Sequence, residues 1–360
     1  MDRKKVVVWG TGNVGRPAIR AVAAHRDLEL TGVVVANPDK VGTDAGTIAG
    51  IEELAVVATD DWQPAVEGAD CVVYAATADT RGEEAFMELV GVLGAGANVV
   101  STAFYPLLYP PCGMKEAVEP IQMIAEQNGV SVFVSGIDPG WAMDALPIFA
   151  SGMVSGIEEI RMQEIFNYGL YDQPDVVREI VGFGKSMDEL PRMLEEESLR
   201  IVWEPMVRIV ADALDFELDA VETFHERRAL DKTVDVDGMG VFNEGTQGAF
   251  RFEVRGVKDG ATRIVVEHVT RIDDDCAPDW PYPTDGRGCH RIVISGTPRL
   301  HIEVHGHDPV EPGPAGGGNA SAANRIVAAI PAVCDAKPGI VSAVDLPPIT
   351  GAAQMRRAGG

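Results

Sequence analysis

A glycine-rich turn near the start of the chain is the clearest indication of chemistry in the sequence. It consists of Gly10, Thr11, Gly12, Asn13, Val14 and Gly15, and it lies between an apolar run and a helical stretch. In this context the first glycine permits a tight turn, the second lets the backbone approach a pyrophosphate, and the third lets helix and strand pack closely. The free N–H groups at the helix start then attract phosphates. The pattern predicts a dinucleotide-binding loop rather than a purely structural turn.

The end of the second predicted strand indicates which dinucleotide is bound. An NAD site usually carries Asp or Glu there, because the carboxylate binds the ribose hydroxyls. Here the strand ends at Asn37, and Lys40 follows three residues later. These two side chains could hold a 2′-phosphate, with Arg16 nearby, so the sequence favours NADP. NAD stays open, since Asp39 could reach the ribose.

Two polar pairs at strand ends predict contacts with the rest of the cofactor. Ala76 and Thr77 follow the fourth predicted strand, and Ser101 and Thr102 end the fifth. Ligands of doubly wound folds bind beyond the carboxyl ends of the strands, so these residues could meet the ribose–nicotinamide half. Their hydroxyl groups could equally cap the helices that follow.

Four tyrosines are candidate proton donors or pocket-lining residues. Tyr105 and Tyr109 follow the fifth strand, and Tyr168 and Tyr171 follow a later strand. A phenol can protonate a developing alkoxide or line an aromatic pocket, and amphipathic packing is the alternative. Further apolar residues suggest a mid-sized hydrophobic substrate, and these are Phe104, Leu107, Leu108, Trp141 and Phe166.

One set of residues has the spacing of metal ligands. His301, Glu303, His305 and His307 occupy alternate positions of a strand and therefore share a face. Alternation of polar residues on a solvated face explains the same spacing, and we expect no metal.

Alternating strands and helices must position the loops of the first part of the chain. The expected strands cover residues 6–9, 30–36, 56–58, 71–75, 97–101 and 130–135, and the expected helices cover 17–25, 83–93 and 115–128. This order predicts right-handed βαβ units, so residues 1–137 are expected to form an N-terminal Rossmann domain with a doubly wound parallel sheet.

Longer alternating strands begin beyond residue 138. Phe250 and Phe252 point to one side, whereas Arg251, Glu253 and Arg255 point to the other, and a turn at residues 258–260 returns the chain. We expect residues 138–308 to form an α+β substrate and oligomerisation domain on a mostly antiparallel sheet. Its polar face would be solvated or a subunit contact.

The last part of the chain reads as a linker and a returning helix. Residues 309–318 are rich in Pro and Gly and are predicted to be a linker. An apolar stripe over residues 323–333 predicts a helix that cannot form a domain alone. We therefore expect residues 319–350 to pack back on the first domain.

Composition bounds the functional class. The chain has 360 residues, 46% hydrophobic and 24% charged, which predicts a globular protein of two domains. A formal charge of −25 disfavours nucleic acid and anionic membrane surfaces as partners. No apolar run reaches membrane-spanning length, and 5 scattered cysteines without a C-x-x-C pair suggest a reducing compartment. We expect a cytoplasmic protein.

The order of the motifs resembles the dihydrodipicolinate reductase-like superfamily, especially 2,4-diaminopentanoate dehydrogenases and native amine dehydrogenases. Beyond the glycine loop it includes residues 40–46, Asp138-Pro139-Gly140-Trp141, 182–185, 244–248 and 324–331. The resemblance implies hydride transfer between NAD(P)H and an imine, or a C=N formed from ketone and ammonia. It also implies a homodimer, and a substrate-facing stretch at Asn167-Tyr168-Gly169-Leu170-Tyr171.

Two departures from the relatives concern the substrate. The His-His…Lys run and Ser-Gly-Thr loop of the lysine-biosynthesis reductase are missing, which argues against that substrate. Amine dehydrogenase relatives place a glutamate just after the fifth strand, but residues 101–110 contain no acid. Asp138 stands where relatives usually have Asn, and we hypothesise that it supplies the charge that handles the substrate nitrogen. An Asx-turn before Pro139 is the alternative.

These observations predict an NAD(P)H-dependent oxidoreductase that acts on the imine or amine carbon of a mid-sized hydrophobic substrate. A carbonyl or aldehyde reductase that uses a tyrosine as its acid is the alternative among enzymes. A non-catalytic dinucleotide-binding protein is the alternative outside them.

Overall fold

The chain folds into two units. The computed structural model describes residues 2–78, 80–171, 173–311 and 314–355. The first unit contains the described residues up to Ile137 and those from Asn319 onward, and the second runs from Asp138 to Gly318.

A parallel sheet of seven strands forms the centre of the first unit. Its strands are β1 (Lys4–Trp9), β2 (Leu28–Val34), β3 (Ala58–Thr59), β4 (Cys71–Tyr74), β5 (Asn98–Ser101), β6 (Ser131–Val134) and, near the end of the chain, β15 (Gly339–Val341). They lie in the order β15-β6-β5-β4-β1-β2-β3, and all six neighbouring pairs are parallel. The strand order reverses beside β1, where such folds bind ligands. The predicted Rossmann architecture is confirmed.

Helices cover both faces of this sheet. They are α1 (Gly15–Ala24), α2 (Ala45–Ala49), α3 (Trp62–Val66), α4 (Gly82–Gly94), α5 (Lys115–Asn128) and α8 (Pro314–Cys334). Ile326 and Ile330 of α8 share one buried core with Val6 and Val8 of β1. The chain then adds β15 next to β6, a three-residue strand too short for the sequence pattern to predict.

The predicted linker at residues 309–318 needs correction. Residues 312 and 313 lie outside the described residues, but α8 already begins at Pro314, where proline suits a first helical turn. The glycines there serve close packing, because a Cβ on Gly317 would lie 2.2 Å from the carbonyl oxygen of Gly306.

A mixed sheet of six strands forms the second unit. Its elements are α6 (Ala145–Ser151), β7 (Ser155–Asn167), α7 (Glu196–Ala213), β8 (Ala220–Ala229), β9 (Val234–Val236), β10 (Gly240–Phe242), β11 (Gln247–Lys258), β12 (Ala261–Arg271), β13 (Gly288–Thr297) and β14 (Leu300–Val304). The order is β14-β13-β7-β12-β11-β8, in which only the β7–β12 pair is parallel among the described residues; β9 and β10 pair separately. The predicted α+β class is confirmed.

The two faces of this sheet differ in chemistry. Phe250, Phe252 and Val254 are fully buried on the inner face, and Trp203 of α7 packs its ring 4.7 Å from that of Phe252. The outer face carries ion pairs between strands. Short helical turns complete the chain at Pro38–Lys40, Tyr105–Leu107, Pro110–Cys112, Tyr168–Leu170, Arg192–Leu194 and, as a π-helix, Val176–Ile180.

Candidate active site

The three glycines of the first loop lie in three different surroundings. Gly10 has φ +97°, and a Cβ there would lie 2.8 Å from the backbone of Ala75 and Ala76. A Cβ on Gly15 would lie 2.0 Å from the carbonyl oxygen of Gly10. Gly12 has open space within 4 Å. Gly10 and Gly15 therefore close the turn, and Gly12 leaves the backbone accessible to a phosphate.

The helix start next to this loop suits an anion. Val14 provides no side-chain cap to α1, and no acidic residue occupies the first turn as the structure describes it. Asn13 and Arg16 are half-buried at the same end. The N–H groups and the positive end of the helix dipole can therefore interact with a diphosphate.

A lysine contributes positive charge to the loop. The Nζ atom of Lys40 donates to the carbonyl oxygen of Thr11 at 3.1 Å and lies 3.2 Å from its Oγ1. Asn37 accepts a hydrogen bond from the amide of Asp39 at 2.9 Å and so caps the short turn that carries Lys40. The ammonium group therefore lies against the glycine loop.

Ser101 has a structural role instead of the predicted contact with the cofactor. The side chain is fully buried. Its Oγ donates to the carbonyl oxygen of Tyr74 at 2.8 Å and accepts from the amide of Ala103 at 3.0 Å. The hydroxyl proton is used to join β5 to β4. Ala76 and Thr102 are half-buried and Thr77 is exposed, so their predicted roles stay predictions.

The loop after β5 holds aromatic residues in a constrained backbone. Phe104 has φ 66° and ψ 50°, which is unfavourable for a bulky residue. Its ring lies 5.0 Å from that of Tyr74. Tyr105 is half-buried and Tyr109 is buried, as are Leu107 and Leu108. Such strained positions cluster at functional sites, which is consistent with a ligand-facing loop.

A row of buried titratable side chains crosses the inner face of the second unit. Glu164 of β7 is the direct neighbour of His268 on β12 and of His290 on β13. Glu164 Oε1 lies 3.6 Å from His268 Nδ1, and Glu164 Oε2 lies 3.6 Å from His290 Nε2. The other ring nitrogen of His268, Nε2, lies 2.8 Å from Asp138 Oδ2. Acid and imidazole groups thus alternate, and we call Asp138, His268, Glu164 and His290 the acid–imidazole row.

Asp138 is held inside the second unit. Its side chain has 0% exposure, and its Oδ1 accepts from Trp203 Nε1 at 3.1 Å. The 2.8 Å separation from His268 is an ion-pair distance whose angles are too poor for an aligned hydrogen bond. Asp138 Oδ2 and both ring nitrogens of His268 therefore lack an aligned partner within the described part of the chain. These contacts with side chains differ from those of the Asx-turn alternative.

Burial and mutual charge shift the pKa values of the row in opposite directions. Burial raises the pKa of Asp138 above its usual range, although His268 opposes the change. Burial also acts to raise the pKa of Glu164, but the interactions with His268, His290 and Tyr168 outweigh it and lower the pKa to about 2. For His268, burial favours the neutral ring, but Asp138 and Glu164 together raise its pKa above the usual value.

Tyr168 contacts the row but is a poor acid. Its hydroxyl donates to Glu164 Oε1 at 2.7 Å. Burial and this carboxylate raise the pKa of Tyr168 well above its usual value. Its ring stacks on that of Tyr171 with 5.2 Å between centroids. Its position therefore suits the orientation of Glu164 better than proton donation.

Of the remaining residues predicted to bind substrate, Phe166 lies beside the acid–imidazole row and Asn167 lies in a turn. Phe166 packs its ring 5.2 Å from that of His290 and is half-buried, as is Trp141. Asn167 is buried, with Nδ2 donating to Asp274 Oδ1 at 2.6 Å and Oδ1 accepting from the amide of Gly169 at 2.8 Å. The amide of Asn167 therefore orders a turn, and its predicted contact with the substrate stays a prediction.

Of the predicted alternating residues, His301 and Glu303 lie on β14, whereas His305 and His307 follow its end. Glu303 lies 3.5 Å from His301 Nε2 and 3.2 Å from His305 Nε2. The same carboxylate binds the guanidinium of Arg291 at 2.6 Å. Glu303 is therefore engaged in an ion pair with Arg291.

Sequence reasoning missed Glu164, His268 and His290 as functional candidates. Each occupies an inward position of a strand whose other inward residues are apolar, such as Met162, Val266 and Ile292. A charged or titratable residue at such a position is a detectable signal, since buried charges require partners. The sequence alone could not show that three such residues are neighbours.

Comparison with known proteins assigns the chain to a family. The family model of the 2,4-diaminopentanoate dehydrogenase C-terminal domain matches residues 141–358. The chain belongs to this family. The model of the dihydrodipicolinate reductase N-terminus matches residues 4–89. The resemblance inferred from the motifs is therefore confirmed.

Relatives of this family cover nearly the whole chain. An amine dehydrogenase of Streptomyces virginiae is 48% identical over 344 residues, which are 95% of either chain. The 2,4-diaminopentanoate dehydrogenase of Acetoanaerobium sticklandii is 25% identical over 357 residues, which are 96% of this chain and 94% of that one. The solved structure of an amine dehydrogenase from Mycobacterium smegmatis has the same fold, with a TM-score of 0.75, 19% identity and 98% of both chains covered. Among the described residues, no helix combines the length and apolarity needed to cross a membrane.

Proposed function

We propose that the protein is an NAD(P)-dependent oxidoreductase that transfers a hydride to or from the amine or imine carbon of its substrate. The observation that carries this proposal is the buried carboxylate of Asp138, whose recorded partners are Trp203 and His268. Within the described residues neither Asp138 nor Glu164 pairs with a lysine or arginine. When His268 is neutral, the charge of Asp138 can therefore be balanced by an organic ammonium ion. The 48% identical amine dehydrogenase supports the same reaction.

The glycine loop and its lysine would hold the cofactor. The backbone at Gly12 and the start of α1 would bind the diphosphate, and Lys40 would bind a 2′-phosphate, so we propose NADP as the preferred cofactor and NAD as a possible one. Bound NAD(P) supplies or accepts the hydride. Arg16, Asn37, Ala76, Thr77 and Thr102 complete the proposed cofactor site.

Asp138 would manage the proton of the substrate nitrogen. Because the side chain of Asp138 is fully covered, it would first turn toward the bound ammonium; during oxidation an N–H bond of the ammonium then breaks and its proton passes to Asp138 Oδ2. The C–H bond then breaks with its electron pair leaving as hydride, and the nitrogen lone pair forms the C=N bond. Water later releases the ketone and ammonia. Proton transfer by a positioned carboxylate contributes roughly 10²–10⁴-fold to such steps.

The proposed apolar contacts of the substrate are aromatic and aliphatic side chains, and each unit has its own set. Phe104, Tyr109 and Leu107 are buried in the loop after β5. Tyr105, Trp141, Phe166 and Tyr171 are half-buried. Large rings of this kind favour a mid-sized hydrophobic amine over a small polar one. We propose that Tyr105 contacts the substrate and that Tyr168 orients Glu164.

Ammonia dependence tests this function. The purified protein would be given NADPH and a panel of hydrophobic ketones, with and without ammonium, and primary amines with NADP⁺ or NAD⁺. We expect coenzyme oxidation only when ketone and ammonium are both present, and coenzyme reduction with the amines. Ketone-dependent oxidation without ammonium would instead establish a carbonyl reductase. Tight NADPH binding with no turnover across the panel would establish a non-catalytic binding protein.

We also propose that the outer face of the second sheet forms a homodimer in the cytoplasm. Glu253 and Glu267 are buried on this face and bind the guanidinium of Arg161 at 2.9 and 2.7 Å. Both glutamates are already covered within the single chain, so the support for the dimer is the resemblance of the motifs to this family. Sedimentation at the monomer mass would contradict the dimer.

A further inference from the structure

We propose that His268 stores the proton that Asp138 exchanges with the substrate nitrogen, and that Glu164 holds this imidazole in its charged form. This inference rests on the proposed function, because it assigns the group behind Asp138 in the same reaction. It makes His268 and Glu164 positioning residues, since Asp138 alone would touch the substrate.

The two nitrogens of His268 face two different carboxylates. Nε2 lies 2.8 Å from Asp138 Oδ2, an ion-pair distance at which a rotation of the two side chains would align them for proton transfer. Nδ1 lies 3.6 Å from Glu164 Oε1, which is beyond hydrogen-bond distance. A proton can therefore pass between Asp138 and Nε2, whereas Glu164 acts on the ring through its charge.

The same geometry distinguishes a stored proton from a bound metal ion. Ligand atoms of Asp138, Glu164 and His268 all lie within 4.8 Å of one another, which is a spacing that an ion could bridge. However, each carboxylate faces a different nitrogen of one imidazole, and a ring can offer only one of them to a single ion. A protonated ring can satisfy both carboxylates at once.

The surroundings of His268 leave the row as the path for a proton. The ring of Phe252 stacks on the imidazole with 4.6 Å between centroids, and the ring of Trp203 on α7 packs edge-on against it with 4.8 Å between centroids. The titratable groups on the neighbouring elements are Asp138 before α6, Glu164 on β7, His290 on β13 and Tyr168 after β7. Glu267, next to His268 on β12, binds Arg161 on the outer face of the sheet.

The stored proton gives the two directions of the reaction different pH requirements. In reduction, the His268 Nε2–H bond breaks and its proton passes through Asp138 to the imine nitrogen, forming the iminium that accepts the hydride. In oxidation, the ammonium proton passes through Asp138 to Nε2, so the ring must first be neutral. Amine oxidation should therefore fail on the acid side at the pKa of His268, which lies above that of free imidazole.

Glu164→Gln tests the row without removing Tyr168's acceptor. We expect the acid limb of amine oxidation (the pH below which kcat falls) to move down by about 1 to 3 pH units, because the variant loses the anion that favours the charged ring. His268→Gln should lose the limb together with roughly 10²-fold in kcat. His225→Gln is the matched control, since His225 is an exposed histidine on β8 across Phe252 in the same sheet. The acid limb of amine oxidation in His225→Gln should stay at the pH of the unchanged protein.

NMR titration of the His268 ring gives a readout that needs no substrate. With the signal assigned from its loss in His268→Gln, we expect a pKa above 6.5 in the unchanged protein and a lower one in Glu164→Gln. A pKa at or below 6.5, or an acid limb that stays in place in Glu164→Gln, would overturn the stored proton. If the ring titrates as expected but no amine is oxidised, the proposed function fails instead. If micromolar Zn²⁺ or Mn²⁺ abolishes the pH-dependent shift of the His268 signal, the row is a metal site and the inference is wrong.

Discussion

The carboxylate of Glu164 and the imidazole of His268 face each other across a parallel strand pair, with 3.6 Å between Oε1 and Nδ1. Both groups are buried in the second unit. Isolated buried charges are strongly unfavourable, so each requires the other. The same two groups therefore affect both the stability of the second unit and the proposed storage of the proton.

The stability of the protein should depend on Glu164 in a pH-dependent way. Its pKa of about 2 lies below its ordinary value of 4.5, so its contribution is complete above pH 4.5 and is lost as pH falls through 2. We expect Glu164→Gln to reduce the free energy of unfolding by on the order of 3 kcal/mol at pH 7 and by progressively less between pH 4.5 and pH 3. Urea unfolding at a series of pH values measures this. The control Glu222→Gln, at an exposed site on β8, should change little, and a pH-independent loss in Glu164→Gln would contradict the account.

Asp138→Asn should separate proton handling from folding. The amide keeps the size of the side chain and its contact with Trp203, but it cannot take a proton from an ammonium ion. We expect kcat for amine oxidation to fall by about 10²–10⁴-fold, with the Kd for NADPH unchanged in a fluorescence titration. Asp219→Asn, which alters an exposed acid paired with Lys258, is the control. Near-normal turnover of Asp138→Asn would remove Asp138 from the mechanism.

Lys40→Ala should change the preference between coenzymes. The ammonium group of Lys40 lies 3.1 Å from the carbonyl oxygen of Thr11, beside the glycine loop. If a 2′-phosphate binds there, the alanine variant removes its positively charged partner. We expect the KM for NADP⁺ to rise about tenfold or more and the KM for NAD⁺ to change less than twofold, since a charged hydrogen bond contributes about 1.5–3 kcal/mol. Lys115→Ala at the exposed start of α5 serves as the control. Equal effects on both coenzymes would show that Lys40 does not read the phosphate.

Gly12→Ala should weaken dinucleotide binding without unfolding the first unit. The added methyl group meets open space, so we expect the melting temperature to change by no more than about 2 °C. The methyl group would nevertheless stand between the backbone and the diphosphate, and the Kd for NADPH should rise about tenfold or more. Gly94→Ala also adds a methyl group to open space, at the end of α4, and should leave binding intact. Unchanged binding in Gly12→Ala would show that the diphosphate lies elsewhere.

Ser101→Ala should affect stability rather than coenzyme binding. The variant leaves the amide of Ala103 and the carbonyl oxygen of Tyr74 without their buried partner. We expect the free energy of unfolding to fall by about 1–3 kcal/mol. The Kd for NADPH, measured in parallel by fluorescence, should stay within twofold. A clear loss of coenzyme affinity in a stable variant would restore Ser101 to the cofactor site.

Sequence reasoning was most successful where structure is local. The glycine spacing of residues 10–15 depends on backbone conformation over one turn, and the strand–helix alternation depends on short periodic patterns. It was least successful for β15, because three residues carry no periodicity and the strand forms only beside β6. The glycines before residue 319 read as a linker, since close packing against Gly306 is a contact that no local pattern reveals.

The amino-acid sequence by itself determined the dinucleotide loop, the doubly wound sheet, the mostly antiparallel second sheet and Asp138 as a candidate carboxylate. The first three follow from residues close together in the chain, and Asp138 follows from the resemblance to relatives that have Asn at this position. Only the tertiary structure decided that Glu164, His268 and His290 lie side by side, because the register of three strands from distant parts of the chain makes them neighbours. Asp138 then meets His268 because burial leaves two charged groups no better partner than each other.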